Sequence, residues 1–360
     1  MFKENSHSYR IMALIGMTGE CSEKALSILI PHEPYRNKVI SRLITKKAIT
    51  KHQKNNLMGF RLTRNSKKML LEIAEERFGF FLQDGADYTM RRSSVSYRLR
   101  QHRISETLAM MEQAKFIIHR DNKNDIFEET PTHTDKIMDS VFYLSKEIKS
   151  QKDLTRKIIS SKITGLLLSE NSAWLCYQSS QELFWWSDNI ERRTETLIWL
   201  MLKDAGIYFD ECDALLFGDS MKQAKAHLAN RLMTDYLQRT SFRRFCFIQM
   251  DENGIMLLKL LDNKPLYNNF FQILSEDLTP SPNTYIIQDG LNAEGRPVLI
   301  CIDCDLKRLV IFRNQLYFSN NHGEVICFDF QENAIKEFCG KNISISTVDS
   351  KKVWEAFFSE

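Results

Sequence analysis

Between Pro34 and Lys47 the chain sets Arg36, Asn37, Lys38, Ser41, Arg42 and Lys46 on one helical stretch. These side-chain types pair with base edges and phosphates: arginine bidentately with guanine, asparagine with adenine, lysine with backbone oxygens. The other reading of the same spacing is a solvated amphipathic helix. The next segment favours nucleic acid: Lys51, His52, Lys54, Arg61 and Arg64 punctuate a short polar stretch, and each cation that met a phosphate would add roughly one unit to the salt dependence of binding. A denser run comes after it, Arg91, Arg92, Arg98, Arg100 and Arg103. It would either clamp a phosphate backbone or pair with acidic residues of the chain's own C-terminal region. A second constellation lies far downstream. Asp303, Asp305 and Lys307 alternate in Ile302-Asp-Cys-Asp-Leu-Lys, and on a strand they would share one face. With Asp289 on the preceding turn they would supply the acids and the lysine of a metal-dependent nuclease. The competing reading is a surface ion pair at a strand end.

Other chemistries find little support. Phosphate-loop and dinucleotide glycine patterns are absent, as are His-x-His and His-Glu-x-x-His. Glu191 and Glu195 share a helix, but two-metal sites draw ligands from several elements. Of the 8 cysteines, Cys301 and Cys304 alone form a C-x-x-C; without a second ligand pair they read as neighbouring core thiols in a reducing compartment. No cofactor or metal is implied. No run of 18 apolar residues occurs and Met1–Arg10 has no apolar signal core, so a cytoplasmic chain without a membrane partner is expected.

Several elements must position the basic residues. Residues 8–16 predict a helix ending at glycine, and Ser22 caps a second over 22–30. Pro31 and Pro34 break the chain. Tyr35–Lys47 is a third helix with Val39, Ile40, Leu43 and Ile44 on its apolar face. Ala48–Lys51 and Phe60–Thr63 form a hairpin, Asn65 caps a helix to about Phe78, and after a loop at 84–89 one long helix runs from Arg91 to Ala114 with Leu99, Ile104, Leu108 and Met111 inward. His102 is expected at the contact between that helix and the hairpin, hydrogen-bonded to backbone, in place of a catalytic role. Three helices, a hairpin and a helix predict a winged helix-turn-helix over 8–118, with its third helix in the major groove and its hairpin along the backbone. Residues 119–136 read as a linker. Residues 137–282 read as mixed α/β, with Ile255–Leu261 among the strands, and 283–360 as a strand-rich subdomain. The fold class is α+β: a winged helix followed by a mixed α/β region with a strand-rich end.

Charge separates the same regions. The first 120 residues hold 22 Lys+Arg against 11 Asp+Glu, and the remainder 27 against 35. A cationic front end calls for a polyanion, and an acidic rear would dock a protein partner. The aromatic groups Phe184-Trp-Trp and Phe270-Phe read as core or interface before base-stacking platforms.

Three stretches together, Arg42-Leu43, Gly59-Phe-Arg-Leu-Thr-Arg-Asn-Ser-Lys-Lys-Met-Leu and Tyr97-Arg-Leu-Arg-Gln-His-Arg-Ile-Ser-Glu-Thr-Leu-Ala-Met-Met, resemble the replication-relaxation family of Gram-positive plasmids and integrative conjugative elements. Leu62-Thr63, His102 and Ile104 match its pattern, over roughly residues 10–118. The resemblance implies a DNA-binding accessory role near replication or transfer origins, with double-stranded DNA as partner. Some family members carry a nuclease-like domain, whose motif this chain lacks in its middle region. One winged helix reads only a short site, which a homodimer would lengthen. Three readings stay open: duplex binding, a metal-dependent nuclease, and an adaptor for a relaxase or replication partner.

Overall fold

The computed structural model describes residues 3, 6–83, 94–128, 137, 139–150, 155, 157–170, 172–179, 187–209, 212–282 and 285–358. The chain is mixed α+β and divides into two compact units, Met1–Ile159 with Ile163–Glu170 and Leu197–Tyr208, and Ser160–Lys162 with Asn171–Thr196 and Phe209–Glu360.

In the first unit, α1 (His7–Thr18) is capped by Ser6 and ends at Gly19, whose φ of 85° suits glycine. Ser22 caps α2 (Glu23–Leu29) as expected, accepting from the Ala25 amide. α3 (Glu33–Thr45) begins earlier than the sequence suggests: Pro34 sits in its first turn, where its missing N–H costs nothing, so this proline opens the helix instead of breaking it. β1 (Ile49–Lys54) and β2 (Leu57–Leu62) pair antiparallel, with Lys54 opposite Leu57. Asn55 and Asn56 have φ of 52° and 59°, the left-handed pair that a two-residue hairpin turn demands. Thr63, not Asn65, caps α4 (Arg64–Ile73), and a break at Ala74 starts α5 (Glu75–Leu82). Ser94 caps α6 (Val95–Gln113). The core joins Ile11, Leu14, Ile15, Leu26, Leu43, Leu70, Phe78 and Leu108, all buried.

The unit runs on past residue 118. Ile126 and Phe127 are buried, and the Lys123 ammonium donates to the Ile118 and Phe142 carbonyls and to Glu147. Over 119–128 this is therefore packed chain; 129–136 lie outside the described residues. β3 (Val141–Leu144) leads into the short α7 (Ser145–Ile148) and pairs antiparallel with β4 (Gly165–Ser169).

The second unit opens with β5 (Ser172–Gln178). α8 (Asp188–Asp204), whose residues from Leu197 on are counted in the first unit, precedes β6 (Cys212–Gly218), and α9 (Met221–Ala229) and α10 (Arg231–Arg239) lead to β7 (Phe245–Gln249). These three strands are parallel. Their unbroken apolar runs, such as Ala214–Phe217, are buried, as strands covered on both faces must be. α11 (Glu252–Asp262) occupies the segment expected as the strand Ile255–Leu261. A short leucine run fits a strand and a buried helix alike; the Asp251 carboxylate decides it by capping the Asn253 and Gly254 amides. α12 (Lys264–Ser275) and the edge strand β8 (Gly290–Leu291) come next. Then β9 (Pro297–Ile300), α13 (Leu306–Ser319), β10 (Gly323–Phe328), α14 (Glu332–Cys339), β11 (Ile343–Val348) and α15 (Ser350–Phe357) alternate. The C-terminal part, expected as a strand-rich subdomain, is thus a parallel β-α-β-α-β run: β10 pairs parallel with both β9 and β11, and parallel neighbours need helical crossovers.

Candidate nucleic-acid interface

The inner face of α3 is fixed by Arg36, Val39, Ile40 and Leu43, all buried. Arg36 does not point outward as the sequence reading requires. Its guanidinium donates to the Ile30 and Pro31 carbonyls at 2.9 and 3.2 Å, satisfying chain ends left open between α2 and α3. With 3.6 residues per turn, the opposite face centres on Lys38, Ser41 and Thr45, flanked by Asn37 and Arg42. All five are exposed. Ile44, expected in the core, is 40% exposed. Lys46 lies exposed just beyond the helix, its backbone amide closing the last turn on Arg42.

On the hairpin, Lys51 and Lys54 are exposed, and Arg64 is exposed at the first turn of α4. Lys38, Arg42, Lys51, Lys54 and Arg64 enter no ion pair among the described residues. Arg61 turns inward instead, to Glu20 at 2.6 Å.

The basic run of α6 divides. Arg91 and Arg92 lie outside the described residues. Arg100 is exposed and Arg103 half-buried. Arg98 is 0% exposed, so it cannot clamp phosphate. Nor does it pair with the acidic C-terminal region. Its guanidinium grips Glu20 at 2.7 Å and donates to the carbonyls of Lys54, His52 and Leu57 at 3.1, 2.9 and 3.0 Å. His102 does sit at the helix–hairpin contact, but donates from Nε2 to the Glu20 carboxylate, 2.9 Å away, and not to backbone. Gly59 makes room for this meeting: a Cβ there would come within 2.2 Å of Glu20 Oε1 and 2.6 Å of His102 Nε2. Burial alone would raise the Glu20 pKa, yet hydrogen bonds from His102, Arg98 and Arg61 outweigh it and hold the carboxyl at about 2. Glu20 escaped the sequence reading because an isolated acid between two helices carries no pattern. The one available clue was an unmatched carboxylate preceding Cys21-Ser22 within a cationic region.

The second constellation does not assemble. β9 ends at Ile300 and a helix starts at Leu306, so Asp303, Asp305 and Lys307 do not alternate on a strand. Asp305 caps that helix, accepting from the Lys307 and Arg308 amides and from the Phe245 amide of β7. Burial, and then the neighbouring Asp303, push its carboxyl up to about 6. Asp303 accepts from the Tyr267 hydroxyl at 3.1 Å. The Lys307 ammonium is spent on the Thr240 and Phe242 carbonyls, and Asp289 on Arg308 and the Ile300 amide. Both carboxylates of the pair are fully buried. Among the described residues no three His, Cys, Asp or Glu side chains converge on a metal-sized space. Glu191 and Glu195 also go separate ways, to Ser161 and to Ser241. All 8 cysteines are buried thiols that form no disulfide among the described residues. Phe270 stacks on Phe328 as core, whereas Phe184-Trp-Trp lies outside the described residues. No helix among the described residues is long and apolar enough to cross a membrane.

Comparison with protein-family models, with curated proteins and with solved structures finds no match. The chemistry of the exposed surface therefore has to carry the functional reading.

Proposed function

We propose that the first unit is a winged helix-turn-helix that binds double-stranded DNA, with α3 entering the major groove and the β1–β2 hairpin serving as the wing along the backbone. One observation carries the reading: the outward face of α3 bears Asn37, Lys38, Ser41, Arg42 and Thr45, and the hairpin after it presents Lys51 and Lys54. Base reading falls to Lys38, Ser41 and Thr45 at the centre of the face, with Asn37 and Arg42 reaching to either side. Lys46, Lys51, Lys54 and Arg64 hold phosphates. Arg36, Arg61 and Arg98 leave the contact set and become part of the scaffold. The resemblance of residues 10–118 to the replication-relaxation family supports a role for this binding in the replication, transfer or transcription control of a mobile element.

Selection of fragments bound by the full chain from random duplex DNA tests the proposal. An enriched short motif, with binding that weakens steeply with salt, is the expected result. Recovery of unenriched DNA at the level of a matched acidic control protein would overturn it.

A further inference from the structure

Resting on the duplex-binding reading, we infer that Arg98 is a positioning residue for the wing: a buried guanidinium that fixes the hairpin in the pose from which Lys51 and Lys54 meet phosphate. Three observations carry this. First, Arg98 comes from α6, far along the chain, yet donates to three hairpin carbonyls, those of His52, Lys54 and Leu57, within 3.1 Å. These carbonyls bracket the turn at Asn55-Asn56 from both strands. Second, the same guanidinium is held by Glu20 through Nε and Nη2 at 2.9 and 2.7 Å, and Glu20 also binds Arg61 of β2 and His102 of α6. The hairpin is thus tied at its turn by Arg98 and on its second strand by Arg61, and both ties end on one carboxylate. Third, the geometry uses the planar fork of arginine, with donors in several directions at once, which a lysine ammonium cannot reproduce.

An isolated two-stranded hairpin is marginal in water. Its cations would otherwise lose conformational freedom each time they met a backbone, and that cost is removed when the pose is set beforehand. Arg98 therefore acts on binding without touching the ligand. Lysines along β1 supply the charge, and the buried fork supplies their placement.

The test uses the full chain and the charge-balanced pair Glu20→Gln with Arg98→Met, which leaves no carboxylate facing a missing guanidinium. Hydrogen exchange is read at the hairpin amides and at those of α1, and binding to a fluorescein-labelled 30-base-pair random duplex is read across a salt series. The expected result is exchange accelerated at least tenfold more in the hairpin than in α1, which follows only the residual loss of stability of the unit. Affinity should fall about 5- to 20-fold, and the slope of log affinity against log salt should drop by about two, the contribution of two phosphate contacts. Lys51→Gln with Lys54→Gln should produce the same slope, and adding it to the first pair should cost nothing more. Additive losses, or an unchanged slope while the wild-type chain binds, overturn the inference and leave duplex binding standing. A wild-type chain that binds no duplex removes the reading beneath it and the inference together. Should Arg98→Met unfold the unit, Arg98→Lys keeps the charge and loses the fork; a wing as protected and a slope as steep as in the wild type would then refute the positioning role.

Discussion

Replacing Glu20 by glutamine keeps shape and hydrogen-bonding capacity but removes the charge on which Arg98, Arg61 and His102 converge. A carboxyl held at about 2 against an ordinary 4.5 contributes about 3 kcal/mol at neutral pH. Its folded-state pKa is depressed, so the contribution is complete above about 4.5 and is lost as pH falls toward about 2. The substitution also strands Arg98, 0% exposed, as an unpaired buried cation, and breaking a buried pair in this way costs about 3–5 kcal/mol in all. Glu20→Gln should therefore destabilise the first unit by about 3–5 kcal/mol at pH 7 and by much less at pH 2. Two units need not unfold together, so the local free energy is best read from hydrogen exchange at the amides of α1 and α6. Adding Arg98→Met should restore part of the loss, with a coupling of about 2–3 kcal/mol between the two positions. A cost below about 1 kcal/mol at pH 7, or the same cost at both pH values, would show that the cluster is not held by charge.

The geometry sets three further outcomes. Lys38→Ala and Arg42→Ala should each weaken duplex binding by about 1–3 kcal/mol with little change in melting temperature, whereas Arg36→Ala should lower the melting temperature first, since it leaves the Ile30 and Pro31 carbonyls unpaired; gel shifts paired with thermal melts separate the two. Asp305→Asn should keep the cap on α13 and remove a buried carboxyl whose folded pKa is raised to about 6; such a group costs stability as pH rises from about 4 to 6, so the variant should gain about 1–3 kcal/mol at pH 8 and lose that pH dependence in denaturant unfolding. Gly254→Ala should cost more than about 3 kcal/mol, because its Cβ would lie 1.7 Å from the Gln249 carbonyl oxygen, a backbone atom unable to move aside; an unchanged unfolding midpoint would refute the tight α11–β7 contact.

What the sequence made legible, and what it did not, divides by the range of the interaction. Ser22 capping α2 and the apolar positions Val39, Ile40 and Leu43 of α3 are local signals, and local chemistry decides them, whereas the tight turn at Asn55-Asn56 replaces the longer polar connection that the sequence suggests between Lys51 and Phe60. The parallel C-terminal run was hidden because Val298-Leu-Ile-Cys-Ile reads as strand throughout, while the chain turns after Ile300. What turns it is remote: Asp305 is drawn to the Phe245 amide of another strand and caps a helix instead of extending one. The misassigned residues of the basic region share that cause. Arg36, Arg61 and Arg98 are not set apart by their neighbours in sequence: Leu62 and Leu99 follow Arg61 and Arg98 just as Leu43 follows the exposed Arg42. What removes them from the surface is a carbonyl or a carboxylate brought near by folding: Ile30 for Arg36, and Glu20 for the other two. Buried arginine is rare because its desolvation must be matched by several acceptors, and acceptors from separate elements leave no periodic trace. A cationic stretch therefore overstates the charge available for contact. On the duplex-binding proposal the exposed part, Lys38, Arg42, Lys51 and Lys54 among it, is where a polyanion would be met, and the part that is buried sets how that surface is held.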